Sequence, residues 1–121
     1  MPHVRVLPIL PGKTEECRQF IRELLTTQRQ TFGESQIAEG ISEEHFFIQS
    51  DPQGDYLIVY NDGDTLKREH IRQVRQRSEH PFDTWYKERF RAIHGVNLDQ
   101  PSIGARIEHV GSWAPQKRCD S

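Results

Sequence analysis

The chain has 121 residues, 28% of them charged, and a formal net charge of −2 with acidic and basic residues interspersed. That length fits one domain, with a single core of one sheet and two or three helices, and the near balance of charge supplies no field to attract nucleic acid or an anionic membrane surface. No apolar run approaches the ~18 residues of a membrane span, and Met1-Pro2-His3 begins no secretory leader, so a cytoplasmic location is expected. The two cysteines, Cys17 and Cys119, stand near opposite ends and imply no disulfide framework; Cys17 reads as a small buried apolar side chain.

Residues 3–10 are rich in β-branched and aliphatic side chains in both alternation classes, as for a central strand buried on both faces. Pro11-Gly12 breaks the chain, and Thr14 before Glu15 and Glu16 predicts a side-chain cap and an acidic first helical turn. Cys17, Phe20, Ile21, Leu24 and Leu25 then recur at helical spacing, with Glu16, Arg18, Gln19, Arg22 and Glu23 on the other face. Gly33 or Gly40 offers a stop for this helix.

Residues 41–50 read as a strand, Asp51-Pro52-Gln53-Gly54 as a turn, and residues 56–60 as the returning strand of a hairpin, ended by Asn61-Asp62-Gly63-Asp64. Leu66, His70, Ile71 and Val74 mark a narrow apolar stripe on a basic helix, whose Lys67, Arg68, Arg72, Arg75 and Arg77 form a solvated face diluted by nearby acids. His80-Pro81 interrupts it, and a further helix places Phe82, Trp85, Tyr86, Phe90 and Ile93 on one face before Gly95 ends it. Ile103, Ala105, Ile107 and His109 alternate with Gly104, Arg106, Glu108 and Val110 as a last strand. The domain is therefore expected over residues 1–114, with a polar tail over 115–121.

The order β-α-β-β-α-(α)-β predicts an α+β fold of the ferredoxin-like class with a four-stranded antiparallel sheet. Helices on one side leave the other sheet face uncovered, with Ile, Phe and Tyr positions exposed, and self-association into a homodimer covers it most economically.

The chain resembles the dimeric α/β-barrel superfamily, in which two ferredoxin-like subunits pack their sheets together. The resemblance runs from His3 to about Ser112 and rests on the opening strand followed by Pro11-Gly12-Lys13, on Tyr56-Leu57-Ile58-Val59-Tyr60, and on Ser78-Glu79-His80-Pro81-Phe82-Asp83-Thr84-Trp85. Those segments look like a small bacterial family of unassigned activity. The superfamily includes cofactor-free monooxygenases, haem-degrading enzymes, muconolactone isomerases and sugar mutarotases, so membership chooses no reaction. Its haem-degrading branch uses an asparagine on the first strand with a tryptophan and a histidine on the second long helix. Here the first strand carries His3 and Arg5 without an asparagine, and His70 has no accompanying tryptophan.

No two of the six histidines stand two or four residues apart, so no metal site is expected. Phosphate-loop, nucleophile-elbow and paired-cysteine motifs are missing from the sequence, and no cofactor is expected. What remains is a set of polar and aromatic side chains on apolar elements: Arg5, His45, Tyr60, His80, Trp85 and His109. Each has an ordinary role open to it, such as a half-buried strand tyrosine, a helix-end histidine before proline or a core tryptophan. His45 and Tyr60 stand out because a hairpin loop over residues 51–54 opposes Ser50 to Asp55, and counting back sets His45 opposite Tyr60 on one sheet face. The expected site thus has His45 and Tyr60 as its catalytic centre and His80, Trp85, Arg5 and His109 as ligand-binding residues. The leading expectation is a homodimeric small-molecule-binding protein or cofactor-free enzyme; the alternative is a non-enzymatic dimeric interaction module.

Overall fold

A computed structural model describes residues 2–63, 80–95 and 107–115. The elements in chain order are β1 (Pro2–Pro8), α1 (Thr14–Leu25), α2 (Arg29–Ala38), β2 (Ile41–Asp51), β3 (Gly54–Gly63) and α3 (Pro81–His94). They form an α+β fold with a three-stranded antiparallel sheet in the order β1-β3-β2.

The first helix follows its apolar spacing, with Cys17, Phe20 and Leu24 buried. Its start differs from expectation. Lys13 occupies the cap position without a side-chain hydrogen bond, because the Thr14 hydroxyl donates instead to the Asp55 carboxylate at 2.6 Å. That bond, seconded by one from Ser50, holds the Asp55 pKa below the usual carboxylate value. Thr14 therefore ties α1 to the start of β3.

The end of α1 also differs. The helix stops at Leu25, and Gly33 lies inside a second helix rather than at a terminus. Thr26 and Thr27 mark the break: their hydroxyls donate to the Arg22 carbonyl at 2.6 Å and the Glu23 carbonyl at 3.4 Å. Two adjacent β-branched residues bonding back one turn compete with helix propagation. Gly40, with φ 75°, then leads from α2 into β2.

The hairpin has the predicted register, with Ser50 opposite Asp55 and His45 opposite Tyr60. Its turn is set by Asp51, whose carboxylate accepts from the Gln53 backbone N–H at 2.8 Å. Among the described residues β3 lies between β1 and β2, and β1 pairs on one side only. Pro2 and Pro8 lack N–H groups, which suits them to the ends of the strand. One face of β1 meets the helices, and no described helix packs on the other.

His80 and Pro81 start α3 as expected. The His80 imidazole Nδ1 accepts from the Phe82 N–H at 3.2 Å, and Gly95, at φ 68°, closes the other end with its N–H on the Arg91 carbonyl at 2.8 Å. Phe82, Phe90 and Ile93 face inward, and Phe20 from α1 lies with its ring centroid 5.4 Å from those of both Trp85 and Tyr86. Leu57 and Val59 of β3 complete this core. Cys17 lies within it, and burial pushes its thiol pKa up to about 11 against the opposing effect of Arg18, so the group is held in its unreactive protonated form.

Of the expected fourth strand, residues 107–110 carry no regular secondary structure and 103–106 lie outside the described residues. The basic helix expected around Leu66 to Val74, residue Cys119 and the tail over 116–121 also lie outside them. Among the described residues, no helix is long and apolar enough to cross a membrane.

Candidate functional site

Strand alternation sends Leu57, Val59 and Asn61 toward the helices and Tyr56, Ile58 and Tyr60 to the opposite face, open among the described residues. The pairing register arranges that open face in rows. Val4, Tyr60 and His45 lie side by side across the three strands, and Val6, Ile58 and Phe47 form the next row. The second row is wholly apolar, and Val6 and Phe47 are 43% and 55% exposed.

At the centre of the first row the His45 and Tyr60 rings lie 5.9 Å apart between centroids, tilted by 41°. A third group joins them. Glu43 stands two residues before His45, hence on the same face, and its carboxylate oxygen lies 3.4 Å from His45 Nε2. The neighbour that precedes His45 directly, Glu44, points the other way, where it accepts from Asn61 at 3.1 Å and Gln36 at 2.5 Å. The two-residue spacing of Glu43 and His45 in a strand was the signal for this carboxylate, and sequence reasoning that considered only adjacent Glu-His pairs passed over it.

Tyr60 also lines a cleft of about 460 Å³ at the end of β1, walled by Val4 and His3 on one side and by Ile107, His109 and Ser112 on the other. His109 Nε2 lies 3.2 Å from the Ser112 hydroxyl. The cleft thus brings a residue from far along the chain beside Tyr60, and His3 enters it without having been singled out in the sequence.

Two of the other five candidates therefore adjoin Tyr60, His45 across the hairpin and His109 across the cleft. The other three serve the helix side of the sheet. Arg5 lies with its guanidinium 5.7 Å from the Phe90 ring centroid. Trp85 packs against Phe20 and Phe82, with ring centroids at 5.4 and 5.8 Å. His80 spends its Nδ1 on the cap of α3.

No family model, curated protein or solved structure matches the chain. The site therefore has to be read from its own chemistry. Among the described residues, no group of three or more His, Cys, Asp or Glu side chains is placed to hold a metal ion. An imidazole can accept and deliver a proton, and a phenol orients or polarises a substrate oxygen. Glu43 can accept a hydrogen bond from His45 Nε2 and so favour the tautomer that leaves Nδ1 as the accepting nitrogen.

His94, which the sequence did not single out, is of a different kind. It is buried, its ring centroid lies 4.6 Å from that of Phe90, and its Nδ1 lies 2.8 Å from the Pro8 carbonyl oxygen. Desolvation lowers its pKa, the bond to Pro8 opposing and Arg5 reinforcing the shift, so the imidazole is neutral and donates its Nδ1 proton to that carbonyl. Its role is to pin the end of α3 to the end of β1.

Proposed function

We propose that this protein is a homodimeric small-molecule-binding protein or cofactor-free enzyme of the dimeric α/β-barrel type. Two copies of its ferredoxin-like sheet oppose their open faces, and the ligand's polar atoms meet His45 and Tyr60. The observation that carries the reading is the composition of the open face: a wholly apolar row, Val6, Ile58 and Phe47, lies beside a row centred on an imidazole and a phenol. A surface that only had to be solvated needs no such apolar row, and one that only had to be buried would not hold Glu43, His45 and Tyr60 together. The sheet order with helices on one face also supports this architecture.

In this reading His45 takes or delivers a proton, Glu43 orients its ring, and Tyr60 donates a hydrogen bond to a substrate oxygen. Proton transfer and ring isomerisation suit the pair; oxygen chemistry suits it where an activated aromatic substrate supplies the electrons. His109 lines the cleft beyond Tyr60 and contacts the outer part of the ligand. A second reading, a dimeric interaction module without catalysis, is favoured by the exposure of Val110 and Trp113, at 89% and 85%.

A thermal-shift screen against aromatic, sugar and haem-like ligands separates these readings, because selective binding to the native state raises its apparent stability. The ligand found is then titrated into His45→Ala and Tyr60→Phe. Loss of a hydrogen bond to a bound ligand is expected to weaken affinity about tenfold in Tyr60→Phe, or ~1.5 kcal/mol, with turnover falling further in His45→Ala, by ~10²-fold or more. Both variants are expected to fold normally. Unchanged affinity and turnover in both would return the two side chains to ordinary strand roles.

A further inference from the structure

We propose that a second cleft, on the helix side of the sheet, binds a medium-chain apolar monocarboxylate. The cleft lies between α1 and β2 and has a volume of about 290 Å³, just below the ~300–1,000 Å³ typical of small-ligand sites. Ile21 and Leu25 of α1, Phe46 and Ile48 of β2 and Leu57 of β3 form its lining. Ile21, Phe46 and Ile48 are only half-buried although they pack against the core, so a further apolar surface placed there would be removed from water.

The rim fixes the ligand's polar end. Arg18 and Arg22 stand there, four residues apart on one side of α1. Arg18 is engaged by the Glu15 carboxylate. Arg22 has no carboxylate partner among the described residues and reaches only the Gln19 side-chain oxygen, at 3.4 Å. A guanidinium at the mouth of an apolar cleft is matched by a molecule with a hydrocarbon body and one anionic end, since the carboxylate can accept two parallel N–H bonds. A neutral hydrocarbon would leave Arg22 unmatched, and a polyhydroxylated ligand would find almost no polar lining. The cleft is independent of the proposed sheet-face site: Phe46 and Ile48 point to the helices, whereas His45 and Phe47 point to the open face.

The test uses octanoate and its neutral counterpart octanamide, each titrated into the full chain and followed by backbone amide NMR. Octanoate is expected to shift the resonances of Ile21, Leu25, Phe46 and Ile48 and to bind more tightly than octanamide. Arg22→Gln should weaken octanoate about fivefold, as for an exposed ion pair, and leave octanamide unchanged. Leu25→Trp, at a position 41% exposed and therefore tolerant of bulk, should fill the cleft and abolish both. His45→Ala should alter neither, which separates this site from the one on the open face. Equal affinity for the two probes, an unaltered octanoate affinity in Arg22→Gln, or shifts confined to Val4, Phe47 and Tyr60 would overturn the proposal.

Discussion

Replacing Phe20 by Ala is expected to lower stability by about 3–5 kcal/mol, a large share of the ~5–15 kcal/mol available to a domain of this kind. The side chain is 1% exposed. It joins α1 to α3 through Trp85 and Tyr86, and the Arg89 guanidinium sits 6.0 Å from its ring centroid. Truncation removes the transfer energy of a buried ring and leaves a cavity between two rigid helices that cannot collapse fully. Urea denaturation followed by far-ultraviolet circular dichroism should show a much lower midpoint with an unchanged slope. Ile37→Ala serves as the comparison, because Ile37 is 72% exposed and its loss should stay within about ±0.5 kcal/mol. Similar midpoints for the two variants would mean that α1 is not seated on α3 through this ring.

The second large effect is expected from Gly63→Ala. Gly63 ends β3 at φ 156°, beside the point where Gly40, at φ 75°, turns the chain from α2 into β2. A Cβ on Gly63 would fall on the Gly40 carbonyl oxygen and lie 2.8 Å from Ile41 Cα. Those are backbone atoms of Gly40 and of Ile41 at the start of β2, so no side chain can swing aside to make room, and the register already slips there between Ile41 and Glu43. Backbone strain and overpacking together should cost about 3 kcal/mol. Gly12→Ala is the control, since Gly12 also has positive φ, 80°, but nothing lies within 4 Å of the added atom; its cost should stay near ~1 kcal/mol. A Gly63→Ala variant no less stable than Gly12→Ala would contradict the close approach of β3 to the start of β2.

What could be read from the sequence was what local chemistry decides. The apolar spacing of Cys17, Phe20 and Leu24, the proline and glycine bounding α3, and the turn residues at 51–54 each act over a few residues, and each element formed where they indicated. The His45–Tyr60 pairing followed because a hairpin's register is fixed by its turn. The bond from Thr14 to Asp55, 41 residues away, could not be read, because the side chain's local capping role competes with a tertiary partner invisible in the sequence. Arg5 and Trp85 were grouped with His45 and Tyr60, yet they serve the helix side. Alternation tells which residues of one strand share a face; only packing tells which face meets the helices.

In the proposed dimer the sheet face bearing His45 and Tyr60 is covered by a second copy of the chain. Light scattering on the native protein and on Phe47→Glu at micromolar concentration tests it most directly, since Phe47 is the most exposed apolar residue of the row Val6, Ile58 and Phe47 and a buried unpaired carboxylate there would be strongly unfavourable in a dimer. Twice the 14.2 kDa chain mass is expected for the native protein and a single chain mass for the folded variant. A native monomer, or a variant that stays dimeric, would contradict it.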